Sequence, residues 1–464
     1  MNPVEHYRAL VEEQVRGRRC ILAMGVVAGM THQVEMLRAL GAGPFLLLGE
    51  TIGAGALPDP AVAEWHVVSE PGQSIMDSMR KYVIGLRNLS PEVAAAVEAF
   101  DPDHKALLLP GFVVDIDAVA GRQNRFGRRP SWIAYEDKVQ VEGFWDRQGV
   151  PRAPSQVVPA AAEALSAAAA ALDAGQGTVW AGDAREGFNG GAEYVRWVQT
   201  KAHAEAAIAF YEAHCDQVRV VPFLDGIPCS IHGIVFDDTV ITFRPCEMVV
   251  LRRPGQARFL YAGAASYWDP PAADREAMRA LARKTGAGLR AEVGFRGPFT
   301  IDGIMTKDGF RPTEINARLG AALAMLTKSL PDLPLELLSL FIKAGLPLDY
   351  RPELLERLLL EAADSHRAGG AWSLDPAPRS ENFDVQLAWR DGAFVEAAEG
   401  EPADGKLMVG PSFKGTFVRF WAEPARTPVG PSIGPRAIAA FAYADRHFGT
   451  AYGKLEAAPD LRRG

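Results

Sequence analysis

Short apolar runs alternate with segments of helical periodicity over the first quarter of the chain. The apolar runs, which have the length of buried strands, are residues 20–27, 44–48, 65–68 and 106–109. Amphipathic helices are predicted at residues 4–16 and 33–40. Because strands that alternate with helices usually pair in parallel, the pattern predicts a small α/β domain in this part of the chain.

A different pattern, two alternating strands around one turn signal, covers residues 299–320. β-Branched and aromatic residues flank a Thr-Lys-Asp-Gly turn, so this segment is predicted to be a β-hairpin. If the loop consists of residues 307–309, with Gly309 in the left-handed conformation, Thr306 pairs with Phe310. The turn therefore sets the register of every pair along the hairpin.

In that register, three oxygen-bearing side chains share one face of the hairpin. Asp302 lies opposite Glu314, and Asn316 points the same way as Glu314 because it is two residues further along the strand. Two carboxylates and an amide oxygen suit Mg²⁺, which usually keeps water or substrate phosphates in its remaining positions. An ordinary surface hairpin with a solvated polar face is the alternative, and alternation by itself does not exclude it.

A glycine-rich segment, residues 182–191, follows a predicted strand at residues 178–180. A strand–turn–strand of this composition lets backbone N–H groups approach phosphate oxygens, because glycine has no Cβ atom in the way. The alternative for this segment is a plain hairpin loop. Residues 115–130 form a second predicted loop, whose arginines are either solvated or bind a carboxylate or phosphate through their bidentate guanidinium groups.

Composition limits the classes of protein to which the chain can belong. Its 464 residues are too many for one hydrophobic core, and the 48% apolar and 23% charged residues are ordinary globular values. A formal charge of −8 argues against a protein that wraps nucleic acid, and no run approaches the ~20 apolar residues of a membrane span. Four cysteines without a Cys-x-x-Cys pair favour a reduced, cytoplasmic setting.

Two segments carry a resemblance to a known family. Residues 314–320, Glu-Ile-Asn-x-Arg-x-Gly, closely resemble the metal-binding strand of ATP-grasp enzymes, and Asp302 falls where that family places its other metal-binding carboxylate. Asp137 and Lys138, followed by Gly-Val-Pro, resemble the segment that opens many ATP-grasp cores. The resemblance implies an α/β fold of the α+β ATP-grasp type, with a small N-terminal α/β domain at residues 1–128, a two-subdomain ATP-grasp core at 129–345 and a C-terminal accessory domain at 346–464.

The resemblance also implies the residues that bind ATP and Mg²⁺. The implied metal ligands are Asp302, Glu314 and Asn316. The implied nucleotide-binding residues are Lys138 and Arg185 at the phosphates, Asn189, Gly190 and Gly191 in the glycine loop, and Phe223 and Leu224 in the hinge beside adenine.

The nucleotide site departs from the family pattern at two positions. Related proteins have a phosphate-binding Lys on the strand before the glycine loop, where this chain has Trp180 and Ala181. Arg185 is the substitute that we expect. The hinge, residues 218–226, also lacks the usual Glu, but because backbone carbonyls commonly bind the adenine amino group, a nucleotide can still be accommodated.

Arginines beside the phosphates are the implied catalytic residues, because fixed cations stabilise the charge that develops on transferred oxygens. Arg318 occupies the position where the family has a basic residue. Arg244 and Arg296 are further candidates, and Glu247 is expected beside Arg244 at the acceptor region. The N-terminal domain is expected to form the edge of the substrate cleft through residues 30–32.

The activity that the resemblance implies is an ATP- and Mg²⁺-dependent ligase, which joins a carboxylate to an amine through an acyl phosphate. The atypical flanking domains look more like those of specialised peptide or amino-acid ligases, such as the pheganomycin-type peptide ligases. The implied partners are small-molecule carboxylates and amines, with neither nucleic acid nor a membrane, and a homodimer is compatible with the family. A kinase on the same fold and a nucleotide-binding protein without catalysis are the alternatives.

Overall fold

The structure, a computed structural model, describes residues 2–53, 55–72, 74–112, 114–187, 190, 192–320, 325, 328–412 and 415–463. These residues form four main β-sheets that follow one another along the chain. None of the described helices is both long enough and apolar enough to cross a membrane. Short 3₁₀ helices lie at Ala28–Met30, Ala134–Glu136 and Pro424–Arg426.

The N-terminal sheet is parallel and confirms the four strands predicted from apolar runs. Its strands, in the spatial order β3-β2-β1-β4, are β1 (Cys20–Gly25), β2 (Phe45–Gly49), β3 (Ala63–Val67) and β4 (Leu107–Pro110). The helices around it are α1 (Pro3–Val15), α2 (Thr31–Ala39), α3 (Ile75–Arg87) and α4 (Pro91–Phe100). Alternate residues of β1, such as Ile21 and Leu22, belong to two different cores, so both faces of the sheet are covered.

The predicted loop at residues 115–130 contains arginines that bind carboxylates of the protein itself. It includes the short strands β5 (Ala118–Val119) and β6 (Arg122–Gln123) and leads to the helices α5 (Pro130–Ile133) and α6 (Val141–Arg147). Arg122 is buried and donates to Asp101 and Glu98, each at 3.0 Å. These arginines therefore stabilise the fold, since a buried guanidinium needs a hydrogen-bonded carboxylate.

The next two sheets, which we call the smaller and the larger sheet, are both antiparallel. The smaller sheet, in the order β7-β10-β8-β9, consists of β7 (Gln156–Pro159), β8 (Thr178–Gly182), β9 (Val195–Val198) and β10 (Gln217–Pro222), with helices α7 (Ala162–Leu172) and α8 (Lys201–His214). The larger sheet, in the order β14-β13-β11-β15-β16 with β12 beside β11, consists of β11 (Ile227–Val235), β12 (Val240–Thr242), β13 (Cys246–Arg252), β14 (Phe259–Ala265), β15 (Gly297–Thr306) and β16 (Gly309–Asn316), with helix α9 (Ala272–Val293). Residues 223–226 connect the two sheets and form the hinge.

Two helices after the larger sheet, α10 (Leu335–Ala344) and α11 (Pro352–Ser365), pack in the same hydrophobic core as the N-terminal sheet. Phe243, just past β12, also belongs to this core. The helices therefore join the N-terminal domain to the larger sheet. The predicted domain boundary at residue 345 falls between them.

The C-terminal sheet packs against β13 and β14 of the larger sheet. Its strands, in the order β17-β21-β20-β18-β19, are β17 (Gly370–Asp375), β18 (Phe383–Arg390), β19 (Ala393–Glu396), β20 (Gly405–Ser412) and β21 (Gly415–Ala422), and helix α12 (Gly434–Phe448) covers it. One core includes Leu251, Ala262, Phe420 and Phe441. The accessory domain is thus fixed to the larger sheet by shared apolar packing.

A buried carboxylate anchors helix α12 to the larger sheet. Glu247, which is 3% exposed, accepts hydrogen bonds from Ser432 Oγ at 2.5 Å and from the Ile433 N–H at 2.9 Å, at the start of α12. A carboxylate at a helix N-terminus accepts from N–H groups that have no partner within the helix. Burial nevertheless dominates and raises the pKa of Glu247 to about 7.

The raised pKa of Glu247 predicts a pH-dependent stability. Because the unfolded chain loses this proton near its ordinary pKa of about 4.3, the folded state holds the proton more tightly, and stability falls as the pH rises to about 7. Glu247→Gln is expected to remove this decline of up to ~3 kcal/mol in the free energy of unfolding. Urea unfolding at several pH values measures it.

The exposed Glu399, in the same domain, provides the control as Glu399→Gln. This variant is expected to keep the pH dependence of the wild-type protein. An unchanged slope in Glu247→Gln would contradict the prediction.

Candidate active site

A cavity of about 480 Å³ lies between the smaller and larger sheets and is closed at one end by the hinge. The N-terminal domain contributes Met76, Met79 and Phe112 to its wall, in place of the predicted residues 30–32. The C-terminal region contributes Trp372 and Ala458. All four main parts of the fold therefore meet at this cavity.

The hairpin of β15 and β16 has the predicted pairing at the site, but by a different route. The loop has two residues, since Thr306 pairs with Gly309 and Met305 with Phe310. A β-bulge at Thr313 then shifts the register by one residue, so that Asp302 lies opposite Glu314 as predicted. Gly309 has the expected positive φ, of +97°.

Two rows of polar side chains cross the larger sheet at the cavity. The first row, Ser230, Asp302 and Glu314, runs over β11, β15 and β16. The second row, two residues further from the hinge, is His232, Thr300 and Asn316. Every member of both rows lines the cavity.

The predicted metal ligands lie close together. The Nδ2 atom of Asn316 donates to Asp302 Oδ2 at 2.9 Å and to Glu314 Oε1 at 3.4 Å, and Ser230 Oγ donates to Asp302 Oδ1 at 2.5 Å. The structure therefore brings Asp302, Glu314 and Asn316 together, as the sequence predicted. It also places Ser230, which the sequence analysis missed, beside them.

A lysine sets the protonation of the two carboxylates. Lys138 Nζ lies 2.7 Å from Glu314 Oε2. Burial and the charge of Glu314 raise the pKa of Asp302, whereas for Glu314 the effect of burial is outweighed by the Lys138 ammonium, which lowers its pKa. Glu314 is therefore the carboxylate that stays ionised, while Asp302 holds its proton more tightly.

The donor set fits Mg²⁺. An N–H group of Asn316 points at both carboxylates, so the space between them accepts a positively polarised atom, and a flip of the amide would present its oxygen instead. No cluster of three or more His, Cys, Asp and Glu side chains among the described residues could hold a metal alone. Two carboxylates and one amide therefore suit an ion that also binds phosphate oxygens and water.

Arg318 lies at the same end of the cavity. Its Nη2 donates to Asn316 Oδ1 at 2.8 Å, its Nε lies 3.5 Å from Glu136 Oε1, and its guanidinium lies 5.0 Å from the ring centroid of Phe112. Glu136 also accepts from Arg128, at 2.5 Å, and from the Ala317 N–H, at 2.9 Å. The predicted catalytic position of Arg318 thus agrees with its placement.

The predicted nucleotide-binding residues in the hinge and the glycine loop are partly brought to the cavity. Phe223 and Leu224 line it, and the ring of Phe223 stacks on Trp197 at 4.2 Å. Gly190 also lines it, and its N–H donates to Met76 Sδ at 3.1 Å. Asn189 and Gly191 lie outside the described residues.

The structure corrects the expected positions of three arginines and one glutamate. Arg185 donates to Cys215 O and Asp216 at 3.2 Å, outside the cavity. Arg244 pairs with Asp269 at 2.9 Å. Arg296 pairs with Asp237 at 2.7 Å, six residues and therefore about 20 Å of strand from Asp302. Glu247 points away from the cavity because β13 presents Met248, Val250 and Arg252 to it.

Arg219 is the cation that the sequence analysis missed. It pairs on β10 directly with Ala181 of β8, so the two side chains share a face, and both line the cavity. Arg219 is 5% exposed, and its Nη1 donates to Glu142 at 2.9 Å and to the carbonyl of Thr313 at 2.6 Å. Its buried Nε has no hydrogen-bond partner among the described residues.

Comparison with known proteins gives a likeness in fold. No protein-family model and no curated protein matches the chain. The biotin carboxylase domain of the 2-oxoglutarate carboxylase from Hydrogenobacter thermophilus, crystallised with magnesium ADP, ADP and bicarbonate, is similar with a TM-score of 0.51 and 13% identity, over 88% of this chain and 86% of that chain.

Two other solved structures have lower TM-scores. The L-amino acid ligase from Bacillus licheniformis has a TM-score of 0.48 at 14% identity, over 88% of this chain and 94% of that chain. The N5-carboxyaminoimidazole synthase from Aspergillus clavatus, in complex with ADP and its ribonucleotide, has 0.48 at 11%, over 93% and 99%. The four sheets, the hinge and the likeness to the biotin carboxylase domain together identify the fold of this chain as the multidomain ATP-grasp fold.

Proposed function

We propose that this chain is an ATP- and Mg²⁺-dependent ligase that joins a carboxylate to an amine. The observation that carries the proposal is the cluster of Asp302, Glu314 and Asn316 with Arg318, on the wall of a cavity that begins at the hinge. Such a site positions anionic groups and neutralises their charge. It suits phosphoryl and acyl transfer, in which the protein supplies no nucleophile.

The order of groups along the cavity supports a nucleotide that runs from the hinge to the metal ligands. Phe223 and Leu224 lie at the hinge, where adenine would stack. Arg219 lies between the hinge and Glu314, because it donates to the carbonyl of Thr313, next to Glu314 in the chain. Lys138 lies against Glu314. These two cations would bind the phosphates.

The proposed reaction has two steps. A carboxylate oxygen of the substrate attacks the γ-phosphorus of ATP, the bond to ADP breaks, and ADP leaves with the electron pair. The amine then attacks the acyl carbon, a C–N bond forms, and phosphate leaves. Asp302, Glu314 and Asn316 would hold Mg²⁺, which supplies charge neutralisation at the phosphates, and Arg318 would stabilise the oxygens that become negative.

The substrates that we propose are an amino acid or peptide as the carboxylate and a second amino compound as the amine, in specialised metabolism. Four buried, free cysteines offer no exposed thiol for a covalent intermediate. A direct transfer through an acyl phosphate agrees with this.

ADP release tests the proposal. We expect ADP to form from MgATP only when a suitable carboxylate is present, and we expect a hydroxamate when hydroxylamine replaces the amine. The twenty amino acids and simple dipeptides provide the panel of carboxylates. A stable phosphate ester would show a kinase instead, and no ADP release with any member of the panel would contradict the proposed ligase of amino acids and peptides.

A further inference from the structure

Two aromatic side chains line the cavity on the side of the larger sheet away from β16. Tyr261 is on β14, the edge strand, and Trp372 is on β17 of the C-terminal sheet. Their rings meet edge to face, with 6.4 Å between the centroids and an interplanar angle of 87°. The accessory domain thus contributes part of the cavity wall.

Close backbone packing fixes the position of Trp372. At Gly263, which has a φ of +104°, a Cβ atom would lie 3.0 Å from Trp372 Cδ1. At Gly369, a Cβ atom would lie 2.5 Å from the Cα of Ala265, where the two chains form a β-bridge. Glycine at both positions lets β17 approach β14 closely enough to bring Trp372 to the cavity.

The polar atoms of both aromatic residues remain available to a ligand. Neither the hydroxyl of Tyr261 nor the Nε1–H of Trp372 has a hydrogen-bond partner among the residues that the structure describes. Burial raises the pKa of Tyr261, and the charge of Asp302 raises it further, which places this hydroxyl near the metal ligands. Two neutral donors therefore lie close to the reacting groups.

Charged side chains of the described cavity wall already have partners within the protein. Arg252 Nη2 donates to Asp225 at 2.5 Å, Arg219 Nη1 to Glu142 at 2.9 Å, and Lys138 pairs with Glu314. A ligand side chain that carries a charge would lose water without gaining a free counter-ion beside the two aromatic rings. The wall favours an uncharged group.

We propose that Tyr261 and Trp372 form the subsite for a large, uncharged side chain, aromatic or aliphatic, of an amino-acid or peptide substrate. The rings bury this side chain, and the hydroxyl and indole N–H donate to an oxygen acceptor of the same substrate. This inference rests on the proposed function, because it names the substrate class of that site.

The test combines substrate profiles with a binding measurement. We expect phenylalanine and leucine to give a kcat/KM for ADP release ~10-fold or more above that of alanine or aspartate. Trp372→Ala should lower the value for phenylalanine by ~10-fold or more, leave that for alanine within about twofold, and leave the Kd of ADP unchanged. Trp372→Phe keeps the apolar ring but removes the N–H, and should have an intermediate effect.

Trp421→Ala is the matched control, because Trp421 is on the neighbouring strand β21, pairs with Gly370, and does not line the cavity. It should keep the wild-type profile. An equal loss for all substrates in Trp372→Ala, a weaker Kd of ADP in that variant, or no preference for phenylalanine or leucine in the wild type would overturn the subsite.

Isothermal titration of phenylalanine and leucine into the ADP-loaded protein separates this inference from the ligase. If either binds, Trp372→Ala weakens it ~10-fold or more, and no ADP forms with any carboxylate, the ligase fails and the subsite is supported. If neither binds but other carboxylates release ADP, the ligase is supported and the subsite is overturned. If neither binds and no ADP forms, both fail.

Discussion

Replacing Glu314 with glutamine is expected to lower turnover by ~10²-fold or more. Glutamine keeps the shape of the side chain but removes the negative charge that would bind Mg²⁺, and it leaves Lys138, now 2.7 Å from a carboxylate oxygen, without its ionic partner. Carboxylate-dependent ADP release, measured over a range of Mg²⁺ concentrations, checks the prediction. The Kd of adenosine, which has no phosphates, should stay the same.

The control for Glu314→Gln is Asp308→Asn, in the exposed loop at the tip of the same hairpin. This change removes one negative charge from the hairpin without touching the cavity, so it should keep near-normal turnover. Near-normal turnover in Glu314→Gln would instead rule out Glu314 as a metal ligand.

Replacing Arg219 with methionine is expected to weaken ADP binding by ~10- to 100-fold, because a charge-assisted hydrogen bond to phosphate is worth about 1.5–3 kcal/mol. Adenosine binding should stay within about twofold. Glu142 keeps an ionic partner in Arg152, at 2.9 Å, so no uncompensated buried charge accompanies the substitution. Isothermal titration with both ligands, together with thermal unfolding, checks the result.

A second substitution distinguishes phosphate binding from a structural role of Arg219. Ala181 is the direct cross-strand partner of Arg219, so Ala181→Lys in the Arg219→Met background places an ammonium on the same cavity wall and should restore much of the ADP affinity. Arg185→Met is the control and should bind ADP normally. Equal losses of adenosine and ADP affinity in Arg219→Met, or no rescue by lysine, would contradict the assignment.

The strands of the N-terminal domain were predictable because parallel strands are buried on both faces. The run that contains Ile21 and Leu22 is apolar at consecutive positions, and the structure packs these two residues in different cores. A half-buried strand would show alternation instead. The predicted positions were therefore right to within a few residues.

The pairing of Asp302 with Glu314 was predicted correctly, but the loop that should produce it was wrong. A three-residue loop and a two-residue loop followed by a one-residue bulge give the same offset between these two carboxylates. The turn residues contain no signal for the bulge, because its position depends on a contact between Thr313 and Arg219, which is distant in the chain. The local pattern therefore gave the right pair without the right backbone.

The arginines show the limit of arguing from residue type. Arg185 and Arg296 each follow the glycine or strand signal that made them candidates, yet each binds a nearby carboxylate outside the cavity. The sequence did contain one usable signal for Arg219, since on a strand its position has the same parity as Val221 of the hinge strand, which also lines the cavity. For Trp372 there was none, because its approach depends on glycines in two separate sheets.

The bulge at Thr313 has a mechanical consequence for the two lobes. By turning its carbonyl out of the ladder, it offers the larger sheet one acceptor for a guanidinium that belongs to the smaller sheet, at 2.6 Å. Any rigid-body opening of the lobes must break this bond, and any phosphate that recruits Arg219 competes for the same group. Nucleotide affinity and lobe closure are therefore expected to change together, with the Thr313 carbonyl acting as a latch that the ligand can loosen.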